Sequence, residues 1–510
     1  MSHLQTNIKI VSRGSHLAVI QAKKVGDKIK SVSPETSIEY HTTKTRADLD
    51  STINISEAGE VGLFTKDISK NIINRKYDLA IHSWKDLPVE PSEQTEVIGT
   101  LSRGDMRDVV IIKPELINVK SKDCLEILTS SPRRKYNLEN ILSDLIPLCY
   151  DSLRFIDIRG NIETRLNKFI SGNSDMIIMA KVAIDRIIES GNESSKNFMR
   201  NIMNENKWII LPLSIFPTAP GQGAIAIEAK KDRTDLKEIM RRINSESTFN
   251  AVQKEKSILS SYGGGCHQKI GASVWEAKEI VIDALVGKTE EGLSIQTLST
   301  NQLNTTSKMI NVSSKSMYPL KDDKNIFKRN NINNIQKIES LQKSLIYLSR
   351  KNVLNNCGNI HTSNILWTSG IQCWKYAVKK GNWINGTDDS FGEASGVNIE
   401  NFISPDVKFY KLSHNQAMSK SFTLIPTYEL LLNKKRIQSL SLSKKTHFFW
   451  MSPLQFDIAI EYFPEIINKD HSCGFGKTYE HLKTILPNQN KIKCFLSYKH
   501  WRVFYQKEKI

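Results

Sequence analysis

The chain has 510 residues, a formal net charge of +17, and 39% hydrophobic and 25% charged residues. The length suggests three or four domains of ~150 residues, and the composition is that of a soluble globular protein rather than a fibrous or disordered one. No apolar run approaches the ~18 residues a membrane span needs, and the opening MSHLQTNIKIVSRGS carries no signal pattern, so a cytoplasmic protein without membrane contact is expected. Seven scattered cysteines with no CxxC pair point to reduced thiols and to no metal site. A basic chain raises nucleic acid as a partner. Here the excess is largely Lys mixed with Asn and Ile, so it carries little functional weight and no nucleic-acid partner is expected.

In chain order, IKIVSRGSHLAVI (8–20) reads as a strand, a turn, and a helix beginning near His16 with Ser15 as N-cap and Gln21 on the helix. Arg13 and Ser15 then sit at a helix N-terminus, where backbone N–H groups favour anions. IEYHTTKTRAD runs out through Lys44 and Arg46 to Asp48. A two-glycine loop, Glu57 to Phe64, precedes a helix over about Thr65–Asn74.

In DLAIHSWKDLP (78–88), Leu79–Ile81 reads as a buried strand of a parallel sheet that Pro88 ends. His82, Ser83, Lys85 and Asp86 are left at its carboxyl end, where open α/β sheets bind ligands. Asp86 beside Lys85 reads either as a proton-transfer pair or as a solvated salt pair on a turn.

LTSSPRRKYNL offers Thr129, then Ser130 or Ser131 as cap, Pro132 at the first helical position, and Arg133 and Arg134 in the first turn. Two cations oppose the helix dipole there, so an anion is expected between them and the helix end. FIDIRGNIETRL delivers Arg159 and Arg165 to a similar junction, and DMIIMAKVAIDRII delivers Lys181 and Arg186. Repeated βα junctions bearing arginine describe a cleft for carboxylates or phosphates. Independent surface arginines are the plainer reading. After a Pro/Gly loop and strand (217–230), a helix leads to Gly263-Gly264-Gly265-Cys266-His267, where Cys266 is an accessible thiol, either a nucleophile or attachment point or an idle loop cysteine.

Together SRGSHLAVIQA, KTRAD, GLFTKDI, DLAIHSWKDLP, TSSPRRKYNL, DIRGNIETRL, APGQGAIAIE and GGGCHQKIG, in that order over about residues 5–315, resemble the porphobilinogen deaminase (hydroxymethylbilane synthase) family. The resemblance implies an α/β fold of two periplasmic-binding-protein-like doubly wound domains, 5–101 with 223–242 and 107–216, plus a small α/β cofactor-carrying domain, 246–315. It implies joining of four porphobilinogens with loss of ammonia, on a dipyrromethane cofactor held by a thioether to Cys266. Asp86 would stabilise the pyrrole N–H charge and move protons. Ser15, Asp48, Ser83, Lys85, Thr129, Ser130, Ser131, Arg133 and Arg134 would contact the cofactor. Arg13, Gln21, Phe64, Arg159, Arg165 and Arg186 would contact substrate. A monomer is expected. The chain departs from the family at Glu57 and Val61, where lysines are usual, and at Pro132 and Trp84.

Residues 316–344 are polar and read as a linker, and 345–510 as an extra α/β domain. THFFWMSPLQFDIAI and HSCGFGKTYEHLKTIL are similar to segments of uroporphyrinogen-III synthase, with Ser452 and Thr478 at helix starts, and Trp367-Thr368-Ser369-Gly370 resembles a duplicate of the first. That similarity implies cyclisation of the deaminase product. The rival from another class is a non-catalytic anion- or solute-binding module, which needs neither Asp86 nor Cys266.

Overall fold

The computed structural model describes residues 7–43, 66–90, 92–263, 268–277, 280–301, 312–320, 326–391, 397–419, 421–488 and 492–506. Asp48, Phe64 and Cys266, with Glu57 and Val61, lie outside the described residues.

The first lobe is a five-stranded sheet ordered Ser37–Thr43, Asn7–Arg13, Leu79–Ser83, Ile225–Lys230, Thr95–Gly99. Its first three strands are parallel, but Ile225–Lys230 runs antiparallel between its two neighbours. The sheet is therefore mixed rather than wholly parallel, because the returning segment enters from the second lobe. Leu79, Ala80 and Ile81 are buried on both faces, as their apolar run predicts. The second lobe repeats the plan as Cys149–Ile156, Ser121–Leu128, Met176–Ala180, Asp108–Ile112, Lys207–Ile210, with Asp108–Ile112 antiparallel to its neighbours. A three-stranded antiparallel meander, Gly271–Ala277, Ile280–Lys288 and Ser294–Thr300, follows the helix Glu246–Ser260.

Two chain crossings join the lobes and touch where Gly104 N–H donates to Gly223 O at 3.1 Å. Gly223 has φ +87°, and a Cβ there would fall 2.7 Å from Gly104 O, so only glycine fits the crossing. Arg103 locks the meander to it through a bidentate pair with buried Glu255 (2.7 and 2.8 Å). Glu255 also accepts from Gly221 N and Val274 N.

The polar 316–344 stretch is not a free linker. Met317–Tyr318 pairs with His447–Trp450, and Phe327–Asn331 pairs antiparallel with Thr423–Leu432. Among its described residues Lys328, Asn331, Asn333, Lys337 and Lys343 are exposed while the backbone completes a sheet edge, a role that hydropathy alone does not reveal. The C-terminal region holds two sheets rather than one. A six-stranded sheet runs Phe327–Asn331, Thr423–Leu432, Phe409–His414, Leu345–Leu348, Ile365–Thr368, Gly386–Thr387, parallel except for its first strand. A four-stranded parallel sheet runs Met317–Tyr318, His447–Trp450, Asp470–Cys473, Ile492–Cys494. No helix among the described residues is long and apolar enough to cross a membrane.

The six-stranded sheet is fused to the second lobe. Ile210 N donates to Asn385 O (2.8 Å), Asn385 Nδ2 donates to Trp208 O (2.9 Å), and Ser214 N donates to Asp389 (2.9 Å). Two apolar cores each contain residues of both, one joining Leu138, Leu142 and Leu145 to Trp374 and Ala377, the other Met199 and Trp208 to Trp367 and Phe402. Trp374 is fully buried and donates Nε1 to Leu145 O at 3.0 Å. Trp374→Ala is expected to cost ~3–5 kcal/mol, measured as the drop in unfolding free energy in a urea titration of the full chain. A drop below ~1 kcal/mol would mean that the interface is not a packed core.

Candidate active site

The carboxyl end of Leu79–Ser83 passes into a single helical turn, Trp84–Asp86. Trp84 is buried against Phe249 (ring centroids 5.2 Å apart), which anchors the turn. The turn opens on a pocket of about 100 Å³ lined by Arg13, Ser15, Leu17, Ala18, Gln21, Ile81, His82, Ser83 and Asp86. Ser15 caps the helix His16–Val32, accepting from Ala18 N. Gln21 donates Nε2 to Ser83 Oγ at 3.0 Å, tying that helix to the strand end. His82 turns away into the sheet and pairs with Glu228 (2.9 Å), which also accepts from Thr95 and Ser69, so it is occupied structurally.

Asp86 makes no hydrogen bond or ion pair with any described residue. Lys85 donates to Gln222 Oε1 (3.4 Å) instead, so the salt pair on a turn does not form. Desolvation lowers the Lys85 pKa, reinforced by the Arg134 and Arg133 charges and opposed by those of Asp86 and Asp108. Arg165 is also lowered, first by desolvation, then by Arg134 and Arg13, while Asp86 opposes. The Asp86 charge acts on both Lys85 and Arg165, and Asp86 shares its pocket with Arg13. Arg165 keeps Nε on Gly160 O (2.8 Å), and Arg159 lies in the same junction.

The paired arginines have their anion within the chain. Arg133 Nη2 and Arg134 Nη2 grip the two oxygens of Asp108 (2.7 and 2.6 Å), and Gln222 Nε2 adds a third donor at 2.9 Å. Although desolvation opposes it, the two guanidinium groups hold the Asp108 carboxyl well below the usual carboxylate range. Ser131 caps the helix Pro132–Leu145, Ser130 bridges to Ile158 O and N (2.9 Å each), and Thr129 Oγ1 accepts from Ser131 N. Arg133 Nε and Arg134 Nε remain buried with no partner. Cations, hydroxyls and unsatisfied donors of this kind fit a group bearing several carboxylates.

Arg186 stands apart. It donates to Gly223 O (2.7 Å) and lines a separate cavity of about 820 Å³ with Lys24, Lys28, Asp185, Glu189 and Asn401. Burial there brings its pKa down to about 10. Sequence reasoning did not assign Asp108 or Gln222. Gln222 lay inside the quoted APGQG motif, but nothing local shows that it reaches both Lys85 and Asp108.

Two α/β lobes closing on a cationic strand-end pocket, in which Asp86 is unpaired among the described residues, define a bilobal anion-binding cleft with catalytic potential. Residues 8–238 match the family model "Porphobilinogen deaminase, dipyromethane cofactor binding domain". The chain is 34% identical over 291 residues to the porphobilinogen deaminase of Clostridium novyi, covering 56% of this chain and 90% of that protein. It is 32% identical over 309 residues to that of Caldicellulosiruptor saccharolyticus, covering 58% of this chain and 98% of the relative. The chain belongs to the porphobilinogen deaminase family, and dipyrromethane is the cofactor of its matched domain.

Proposed function

We propose that the chain is a hydroxymethylbilane synthase, a transferase of tetrapyrrole and haem biosynthesis that joins four porphobilinogen molecules head to tail with loss of ammonia. The observation that carries this reading is Asp86, an acid without a partner among the described residues in a cleft otherwise furnished with cations. A binding module for anions gains nothing from a free carboxylate there, which argues against the non-catalytic alternative. Each porphobilinogen brings an acetate and a propionate, and Arg13, Arg159 and Arg165 are the residues proposed to hold such groups, as guanidinium chemistry suits carboxylates. Arg133 and Arg134, clamped on Asp108, keep the helix Pro132–Leu145 and its serines in register and direct their remaining donors at the cofactor. Lys85, Ser15, Ser83, Thr129, Ser130 and Ser131, together with Asp48, hold the cofactor's polar groups. Gln21 and Phe64 border the substrate, and Arg186 acts from the neighbouring cavity. When bound through a thioether to Cys266, dipyrromethane supplies the nucleophilic pyrrole position that starts the chain. Asp86 meets the positive charge left as ammonia departs and accepts the pyrrole proton.

The test is the mass of the purified protein. An intact mass raised by one dipyrromethane, with a colour from Ehrlich's reagent, is expected, and Cys266→Ser should purify at the bare polypeptide mass. An unmodified wild-type mass after incubation with porphobilinogen would sink the reading.

A second activity, cyclisation of the product to uroporphyrinogen III, is favoured by one observation. The six-stranded sheet, 327–432, is inserted between the first and second strands of the four-stranded sheet, giving two parallel-sheet lobes rather than a single appended domain. The segments resembling the synthase fall on strand–helix units, with Ser452 capping Pro453–Tyr462 and Thr478 in the first turn of Lys477–Ile485. Porphobilinogen supplied to the full chain should then yield isomer III after oxidation, and isomer I alone would remove this activity.

A further inference from the structure

Gln222 lies in the returning crossing between the lobes, and the backbone around it is fixed on both sides. Arg103 Nε donates to Gln222 O at 2.8 Å, and Trp84 N, in the turn that carries Asp86, donates to Ala224 O at 3.0 Å. Gly221 has φ +79°, and a Cβ there would fall 3.0 Å from Lys85 N and 3.1 Å from the carbonyl carbon of Trp84. The crossing therefore rests directly on the turn, and glycine permits the close approach.

The Gln222 side chain is buried and uses both ends of its amide. Nε2 donates to Met106 O at 2.7 Å and to Asp108 Oδ1 at 2.9 Å. Two acceptors on one side fix the orientation of the amide, so Oε1 faces the other way. There it accepts from Lys85 Nζ at 3.4 Å. A neutral carboxamide suits all three groups at once. A carboxylate at 222 would repel Asp108, and a cation would repel Lys85.

The charges that act on Lys85 are those of Asp86, Arg134, Asp108 and Arg133. Asp108 is held by the two arginines, which leaves Asp86, the chain neighbour of Lys85, as the carboxylate to which the ammonium would turn. A desolvated ammonium favours an opposite charge beside it. Instead the amide oxygen of Gln222 takes the ammonium, and Asp86 stays unpaired among the described residues.

We propose that Gln222 is a positioning residue of the deaminase, holding the Lys85 ammonium off Asp86 so that the carboxylate stays free to meet the charge left by departing ammonia. An ammonium paired with Asp86 would weaken it both as base and as counter-charge. The proposal deepens the hydroxymethylbilane synthase reading and rests on it for the role of Asp86, but not for the hold on Lys85.

The test compares Gln222→Met and Gln222→Asn in the cofactor-loaded full chain. Asparagine keeps an amide and threatens folding less, but it is one methylene shorter and withdraws its oxygen from an ammonium already 3.4 Å away. In both variants the ammonium should turn to Asp86. Competitive acetylation of Lys85, read by peptide mass spectrometry across a pH series, should then show a titration midpoint raised by about one pH unit. Porphobilinogen turnover should fall at least about tenfold in kcat with KM nearly unchanged, and the acid limb of its pH profile should move to lower pH. In a Lys85→Met background, which has no ammonium to release, adding Gln222→Met should cost no further kcat. A Lys85 midpoint equal to wild type in both variants would overturn the proposal. So would a kcat loss from Gln222→Met that is as large without Lys85 as with it, the mark of a merely structural role. Raised midpoints in a protein that releases no ammonia from porphobilinogen, wild type included, would uphold the hold on Lys85 and remove the hydroxymethylbilane synthase reading.

Discussion

Asp86→Asn is expected to keep the fold and the covalent cofactor but to lower porphobilinogen turnover by about 100- to 10,000-fold. The carboxylate sits on a turn fixed by buried Trp84 and makes no hydrogen bond or ion pair with a described residue, so the amide replaces it without loss of a structural contact. What disappears is the negative charge that opposes the lowering of the Lys85 and Arg165 pKa values. An amide can neither accept the pyrrole proton nor offset the charge left by departing ammonia. Steady-state turnover together with intact mass separates this from a failure to assemble. A variant that carries cofactor and turns over within a few-fold of wild type would remove Asp86 from the chemistry.

Asp108→Asn should act on stability instead. Its carboxylate is fully buried and bound by Arg133, Arg134 and Gln222, so neutralising it leaves two buried guanidinium groups without their counter-charge. Breaking such a buried pair costs ~3–5 kcal/mol, read as a lower urea midpoint for the second lobe. The pH dependence follows from the sign of the shift. The folded pKa of Asp108 lies below its unfolded value of ~3.9, so the stabilisation is fully present above that value and is lost as pH falls through the lowered folded pKa. The gap between wild type and Asp108→Asn should therefore be widest near neutrality and narrow in strong acid. A gap that widens as the pH falls would contradict the clamp.

Local signals carried much of the site. Ser15, Pro132 and a cap at Ser130 or Ser131, of which the structure selects Ser131, were legible because capping chemistry acts within four residues, and the strand at Leu79–Ile81 because a continuous apolar run has few other uses. The paired arginines told, through their conflict with the helix dipole, that an anion must be near. They could not tell that it is Asp108, whose strand precedes them by 25 residues and meets them only across the sheet. Arg186 looked equivalent to Arg165 in sequence, since both follow a strand into a helix. The orientation of each helix against the first lobe is tertiary, and it sends Arg186 to the other cavity. The stretch 316–344 misled for a related reason. Edge strands there are specified by backbone pairing with residues a hundred positions downstream, and their polar side chains resemble those of a linker. Nor does any periodicity in 345–510 reveal that the region shares two apolar cores with the second lobe, because that depends on which faces meet.

The central claim is that this cleft condenses porphobilinogen. It is tested most directly by incubating the purified full chain with porphobilinogen and measuring ammonia and linear tetrapyrrole in the same sample. One ammonia per porphobilinogen consumed, with hydroxymethylbilane as the product and none formed by Asp86→Asn, is the predicted result. Porphobilinogen that binds but is recovered unchanged, without ammonia, would contradict it.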